Sequence, residues 1–257
     1  MRIKDAFENR KAFIAFITCG DPDLETTEKL ILEMAESGAD LIELGIPFSD
    51  PTAEGPTISS ANMRALSGGV TTDKIFEMTE RLKGRINIPM VFMTYANVVF
   101  SYGTERFCRR AAECGMSGII LPDVPYEEKE EFASVCRGEG LEFVSLIAPT
   151  SHERIKMIAA EAEGFVYCVS SLGVTGVRSE IKTDISEMIN AVKAVTEVPA
   201  AVGFGISTPE QAAHMAEKAD GVIIGSAIVK IVEKYGRDSV PYVGEYVRSI
   251  RTALDQK

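Results

Sequence analysis

The stretch Asp40–Ser60 reads DLIELGIPFSDPTAEGPTISS, and its opening residues decide the fold. Asp40–Pro47 is apolar almost without interruption, the pattern of a parallel strand covered on both faces, whereas a half-exposed strand would alternate. It runs into Pro47–Asn62, a connection rich in proline, serine and acidic residues. Working outward, the same kind of run recurs at Phe13–Cys19, Pro89–Tyr95, Gly118–Val124, Glu142–Pro149, Gly164–Ser170, Pro199–Gly205 and Gly221–Ala227. Counting Asp40–Pro47, that makes eight strand candidates.

Helix-like segments lie between them. Leu24–Ser37 follows Asp-Pro-Asp, Tyr126–Glu139 follows a proline, and His152–Glu163 follows Thr150 and Ser151. Ser207-Thr-Pro-Glu opens another, with a capping residue ahead of a first-turn proline. Regular alternation of this kind predicts one (β/α)8, or TIM, barrel spanning residues 1–257 as a single domain, in the α/β class. A doubly wound open sheet is the competing fold. Against it, no GxGxxG follows the first strand and no linker divides the chain.

The 257 residues are 46% hydrophobic and 25% charged, enough apolar material for a large core. A formal net charge of -11 argues against general affinity for nucleic acid or anionic membrane. No apolar stretch reaches the length of a membrane span, and Met1–Arg10 has no apolar signal region. Cys19, Cys108, Cys114, Cys136 and Cys168 are odd in number and form no CxxC, so neither a disulfide framework nor a zinc ribbon is expected. A reducing cytoplasm is the expected compartment.

Active sites of such barrels sit on the loops that follow the strands. Two connections are unusually long for their place: Pro47–Asn62, and Ser171–Asp184 after the sixth expected strand. Glu43 is the sharpest single feature. No Lys or Arg occurs in any strand candidate to neutralise it, and a carboxyl buried without a cation has its pKa raised toward the range of a general acid–base. Asp50 and Glu54 follow on a loop stiffened by prolines, where Glu54 can be held over the barrel mouth and Asp50 is as readily a solvated carboxylate. Glycine-bearing turns at Gly173–Gly176, Gly203–Gly205 and Gly225-Ser226 allow backbone N–H groups to approach an anion, and the last two fall where this architecture usually binds phosphate. The only histidines, His152 and His214, lie in expected helices, so no metal site is expected. Lys230 lies beyond the last strand, which disfavours Schiff-base chemistry.

Leu44–Pro51, continuing through Gly55-Pro56-Thr57-Ile58, resembles the signature of the tryptophan synthase α subunit family. Phe16–Pro22, Met93–Asn97, Leu121–Pro125, Gly173–Gly176, Gly203–Ser207 and Gly225–Val229 extend the resemblance over nearly the whole chain in family order. It implies a cofactor-free, metal-free retro-aldol cleavage of indole-3-glycerol phosphate to indole and glyceraldehyde 3-phosphate in tryptophan biosynthesis. By the same resemblance Glu43 is the general acid–base and Glu54 occupies the place of a second catalytic acid. Phe16, Tyr95, Tyr167, Thr175, Gly176, Gly205, Gly225 and Ser226 bind substrate. Asp50, Asp123 and Pro125 face a β subunit in an assembly of two α and two β chains.

One position departs from the family pattern, Asp-Pro-x-Ala-Asp-Gly-Pro. Here Asp50–Pro56 carries Glu54 where the family has Asp, which displaces the carboxylate by roughly 1 Å on a fixed backbone, enough to slow a reaction on the order of 10²-fold. Two other readings therefore stand beside the lyase: a subunit that mainly binds and activates a β partner, and a stand-alone indole-releasing lyase.

Overall fold

The computed structural model describes residues 1–169, 185–203 and 205–256. Its strands are β1 (Ala12–Thr18), β2 (Leu41–Gly45), β3 (Met90–Met93), β4 (Gly118–Ile120), β5 (Glu142–Phe143), β6 (Ser145–Ile147), β7 (Val166–Val169), β8 (Ala200–Gly203) and β9 (Gly221–Ile224). All pair in parallel, in the order β5-β4-β3-β2-β1-β9-β8-β7-β6. Every one overlaps an expected strand. The fifth expected strand appears as two pieces, because β5 bonds to β4 while β6 bonds to β7. Between them Val144 N–H still donates to Ile119 O at 3.0 Å. One segment thus serves both ends of the row of strands and turns an open sheet into a barrel.

Around it run α1 (Leu24–Ser37), α2 (Pro56–Ser67), α3 (Thr72–Leu82), α4 (Ala96–Tyr102), α5 (Thr104–Glu113), α6 (Glu130–Gly138), α7 (His152–Ala160), α8 (Ser186–Lys193), α9 (Pro209–Ala216), α10 (Ser226–Tyr235) and α11 (Val240–Asp255). The long connection after β2 is shorter than the sequence implies: Pro56, in the first turn behind Gly55, starts α2 and carries Ile58 and Asn62 into helix. None of the helices is long and apolar enough to cross a membrane, among the described residues.

Strand alternation divides the apolar side chains between two cores. Phe13, Ala15, Ile17, Ile42, Leu44 and Phe92 point outward and pack under the helices. Ile14, Phe16, Leu41, Val91, Tyr167, Ala201 and Ile223 point inward and fill the barrel. The N-terminal end is stoppered by a 3-10 turn, Ile3–Phe7, whose Ile3 and Ala6 are buried and whose Ile3 N–H donates to Glu142 Oε2 at 2.9 Å. The barrel interior therefore opens toward the C-terminal ends of its strands.

Candidate active site

Glu43 lies opposite Phe16 on β1 and Val91 on β3, so its side chain points into the barrel with the inner set. It is 1% exposed, and among the described residues neither carboxylate oxygen has a hydrogen-bond partner. Burial, and after it the charge of Glu54, pushes its carboxyl up to about 8. An unpaired buried carboxylate is costly, so at neutral pH it holds its proton.

Glu54 stands on the loop between β2 and α2. Burial raises it to about 7, and bonds from Asn62 and Tyr95 pull in the opposite direction. Asn62 Nδ2 donates to Glu54 Oε2 at 2.7 Å from two turns along α2. The Tyr95 hydroxyl hydrogen-bonds Glu54 while accepting Ala53 N–H at 3.2 Å. Tyr95 itself is driven well above the usual phenol range, by burial first and Glu54 second. Two carboxyls of one cavity are thus tuned differently. Among the described residues Glu43 has no donor to stabilise its charge, and Glu54 has two, Asn62 and Tyr95.

The cavity is lined by Phe16, Glu43, Glu54, Ile58, Met93, Tyr167, Gly205, Ile206, Ile223, Gly225 and Ser226. It encloses about 500 Å³ of non-atom space, open solvent included, of which about 40 Å³ is free for the centre of a water-sized group. Phe16, Ile58, Met93 and Ile223 supply an apolar lining, and the turns after β8 and β9 supply Gly205, Ile206, Gly225 and Ser226. Glycine at 225 also suits the close approach to β1: a Cβ there would lie 3.0 Å from the Phe16 ring, which would have to give by a few tenths of an ångström. Gly205 has φ +84°, a left-handed conformation that other residues rarely adopt.

The two helices that start at these turns begin differently. At α9, Thr208 accepts from Gln211 N–H and the Gln211 side chain returns to the cap, so the helix satisfies its own first turn. At α10 the cap is Gly225 and, among the described residues, no side chain caps the first turn. Its N–H groups are left as a ready site for an anion.

Seven of the expected residues therefore share one cavity: Phe16, Glu43, Glu54, Tyr167, Gly205, Gly225 and Ser226. Tyr95 touches it through Glu54. Thr175 and Gly176 lie outside the described residues. Asp50, Asp123 and Pro125 do not line the cavity; they are exposed beside it. Asp123 has a second task, accepting Ala96 N–H at 3.0 Å and so fixing the start of α4. Ile58, Met93, Ile206, Ile223 and Asn62 went unmarked in the sequence. For Met93 and Ile223, inward strand register was the available signal; Ile58 on α2 and Ile206 on the turn after β8 lie off the strands, and Asn62, a polar residue in a polar connection, reads as solvated.

Two carboxyls displaced toward neutrality at the C-terminal mouth of a parallel barrel, next to a helix start that no described side chain caps, define an acid–base enzyme suited to an anionic substrate. Comparison with known proteins narrows the class. The profile of the family described as tryptophan synthase alpha chain matches residues 3–252. The tryptophan synthase alpha chain of Dehalococcoides mccartyi is 47% identical over 255 residues, covering 99% of each chain. A crystal structure of tryptophan synthase subunit alpha from Legionella pneumophila superposes with TM-score 0.87 at 37% identity, over 100% of this chain and 99% of that one. Mycobacterium tuberculosis tryptophan synthase gives TM-score 0.90 at 34% identity, over 98% of both chains. The chain belongs to the tryptophan synthase alpha chain family. It is accordingly a carbon–carbon lyase of tryptophan biosynthesis, cleaving indole-3-glycerol phosphate to indole and glyceraldehyde 3-phosphate.

Proposed function

We infer that this cleavage runs on Glu43 and Glu54 as a pair in which one holds a proton and the other a charge. The observation that carries the reading is Glu43, fully buried with both oxygens unpartnered among the described residues, in a cavity that Glu54 also lines. The indole ring lies against Phe16, Ile58, Met93 and Ile223. The phosphate sits at Gly205, Gly225 and Ser226, held by the open N–H groups at the start of α10. Thr175 and Gly176 belong to the same binding set by the family resemblance.

Glu43, protonated at neutral pH, gives its proton to indole C3. The ring nitrogen then carries positive charge, and Glu54, accepting from the ring N–H, stabilises it. Glu43, now a carboxylate, removes the proton of the glycerol hydroxyl on the carbon bonded to C3. The C–C bond breaks, its electron pair restores the aromatic indole, and the hydroxyl carbon becomes the aldehyde of glyceraldehyde 3-phosphate. Glu43 ends protonated as it began, so the chain's own groups suffice for the cycle. Tyr167 stands beside Glu43, whose charge raises its phenol further after burial has done so.

The partner is a β subunit, docked on the face that carries Asp50, Asp123 and Pro125, in an assembly of two α and two β chains. Two features support that face. Phe100 on α4, the helix whose start Asp123 fixes, is 66% exposed, an unusual position for a large apolar ring. A second cavity shares Met93 with the first and reaches Leu121, Asp123 and Pro125, giving indole a direction of exit. Five free cysteines, all buried, suit a cytoplasmic protein.

The test is indole release from indole-3-glycerol phosphate by the purified chain, with and without a β subunit from the same genome. Slow cleavage that rises strongly with the partner is expected. The pH profile of kcat/KM should be bell-shaped: activity rises as Glu54 ionises near 7 and falls as Glu43 ionises near 8. Glu43→Gln should lower the rate by at least ~10³-fold, toward the upper range of general acid–base contributions. No cleavage in either condition, with the β reaction still stimulated, would instead identify a binding and activating subunit. Full turnover without any partner would identify a stand-alone lyase.

A further inference from the structure

Glu54 reaches its place in the cavity by a longer side chain than the Asp of the family pattern, and what receives its carboxylate is α2. Asn62 is 3% exposed, on the inner face of that helix, with Nδ2 at 2.7 Å from Glu54 Oε2. On the other side the Tyr95 hydroxyl, fixed by Ala53 N–H at 3.2 Å, meets the same carboxyl. The helix is not free to follow a moving side chain. Arg64, two residues beyond Asn62, clamps Asp21 through Nε and Nη2, both at 2.8 Å, and reaches Glu233 on α10 through Nη1 at 3.0 Å. Asn62 is thus held to the loop after β1 and to the helix that begins at the phosphate turn. A shorter Asp at 54 would stop roughly 1 Å away from this fixed donor, a gap over which a hydrogen bond is lost.

The geometry points to Asn62 as a positioning residue that holds the longer Glu54 carboxylate in its working place, so that this active site is built around Glu at 54. The inference rests on Glu54 being the second acid of the reaction. Asn62 does not touch the reacting atoms; it acts through Glu54, by aiming the carboxylate at the indole N–H and by stabilising its charged form against burial. The departure at 54 is then a matched pair, with an immobile amide on α2 taking up the added methylene. Glu54→Asp would break the match, leaving the short carboxylate between the indole N–H and a donor it cannot reach.

The experiment measures kcat, KM and the pH profile of indole-3-glycerol phosphate cleavage for the parent, Asn62→Ala, Glu54→Asp and the double variant, with the β subunit present. Asn62→Ala is expected to lower kcat about tenfold or more, the scale of a hydrogen bond to a charged group, while KM stays within about threefold. Its acid limb should move up by roughly one pH unit, because the charged form of Glu54 has lost a donor. Glu54→Asp should lower kcat about tenfold or more in the parent but little further in the Asn62→Ala background, since each change breaks the same bond. Asn62→Asp keeps the volume and guards against a folding artefact. It should lose more activity than Asn62→Ala, because a second carboxylate then faces Glu54. A purely structural Asn62 would lower the melting temperature, leave the acid limb in place and give additive losses, and that result overturns the inference, as does a gain in kcat for Glu54→Asp. Glu54→Gln separates the two readings: parent-like turnover there would remove Glu54 from the chemistry, and this inference with it. An inactive Glu54→Gln beside an unaffected Asn62→Ala would remove only Asn62.

Discussion

Asp40 lies at the foot of β2 and Glu43 within it, both buried, and the protein treats the two acids in opposite ways. Asp40 accepts Phe13 N–H at 2.7 Å and Arg251 Nη1 at 2.8 Å, and also pairs with Arg10. Burial raises its pKa, but Phe13 N–H, Arg10 and Arg251 all pull it back. Glu43 receives no hydrogen bond among the described residues, and the charge of Glu54 adds to the effect of burial. One acid is satisfied and ties α11 to the barrel floor; the other is left bare in the cavity. The pair separates the stabilising end of a β/α barrel from its working end.

The comparison predicts opposite outcomes for the two deletions. Asp40→Ala should destabilise the chain by up to about 3–5 kcal/mol, because it leaves the buried Arg251 guanidinium with only the half-exposed Asp255 as a counter-charge. In a thermal melt that is a loss on the order of 10 °C for a chain of this size. The folded fraction should still cleave substrate with unchanged KM. A variant that melts with the parent would mean that the floor network contributes nothing net.

Glu43→Gln should do the reverse, gaining stability as it loses activity. The folded carboxyl titrates near 8 against a reference value of 4.5, so the folded state binds the proton that the unfolded chain releases. Stability is therefore lost as pH rises between those two values, and the loss is complete above the higher one. Removing the carboxyl should add on the order of 4 kcal/mol at about pH 8 and little at about pH 4 to 5. Urea unfolding of both proteins at the two pH values measures the difference directly. A gap that does not depend on pH would show that Glu43 is not the buried acid described above.

Much of this was legible in the sequence, and the exceptions share a cause. The strands were visible because uninterrupted apolar runs of that length, bounded by turn residues, are the mark of strands buried on both faces. Glu43 stood out because no strand carried a cation to neutralise it. The glycine turns that line the cavity were visible as Gly203–Gly205 and Gly225-Ser226. What escaped were features made by packing between distant segments. Met1–Arg10 reads as a charged end, yet Ile3 and Ala6 are the stopper of the barrel. Asp40 reads as one more acid before a strand, since its partner Arg251 lies 211 residues away. Asn62 reads as part of a polar loop, and only the start of α2 at Pro56 turns it back onto Glu54. Residue type and spacing report local structure; the pairing of polar groups across the barrel is decided by register and helix phase.

The same contrast between satisfied and bare groups recurs, at smaller scale, at the starts of α9 and α10. Thr208 closes the first turn of α9 in a capping box with Gln211, so its hydroxyl contributes to stability and has nothing to offer a ligand. Thr208→Ala should cost about 1 kcal/mol of stability, the usual value of a cap, without changing KM. At α10, among the described residues, no side chain caps the first turn behind Gly225, and Ser226 lines the cavity. Ser226→Ala should leave the melt within about 0.5 kcal/mol of the parent while raising KM, since it removes a donor only a bound phosphate would use. Glycerol phosphate can serve as the probe in both cases, its affinity measured by calorimetry. If Thr208→Ala weakened binding as much as Ser226→Ala, the anion would be shared between both helix starts, and α9 would belong to the working end as well.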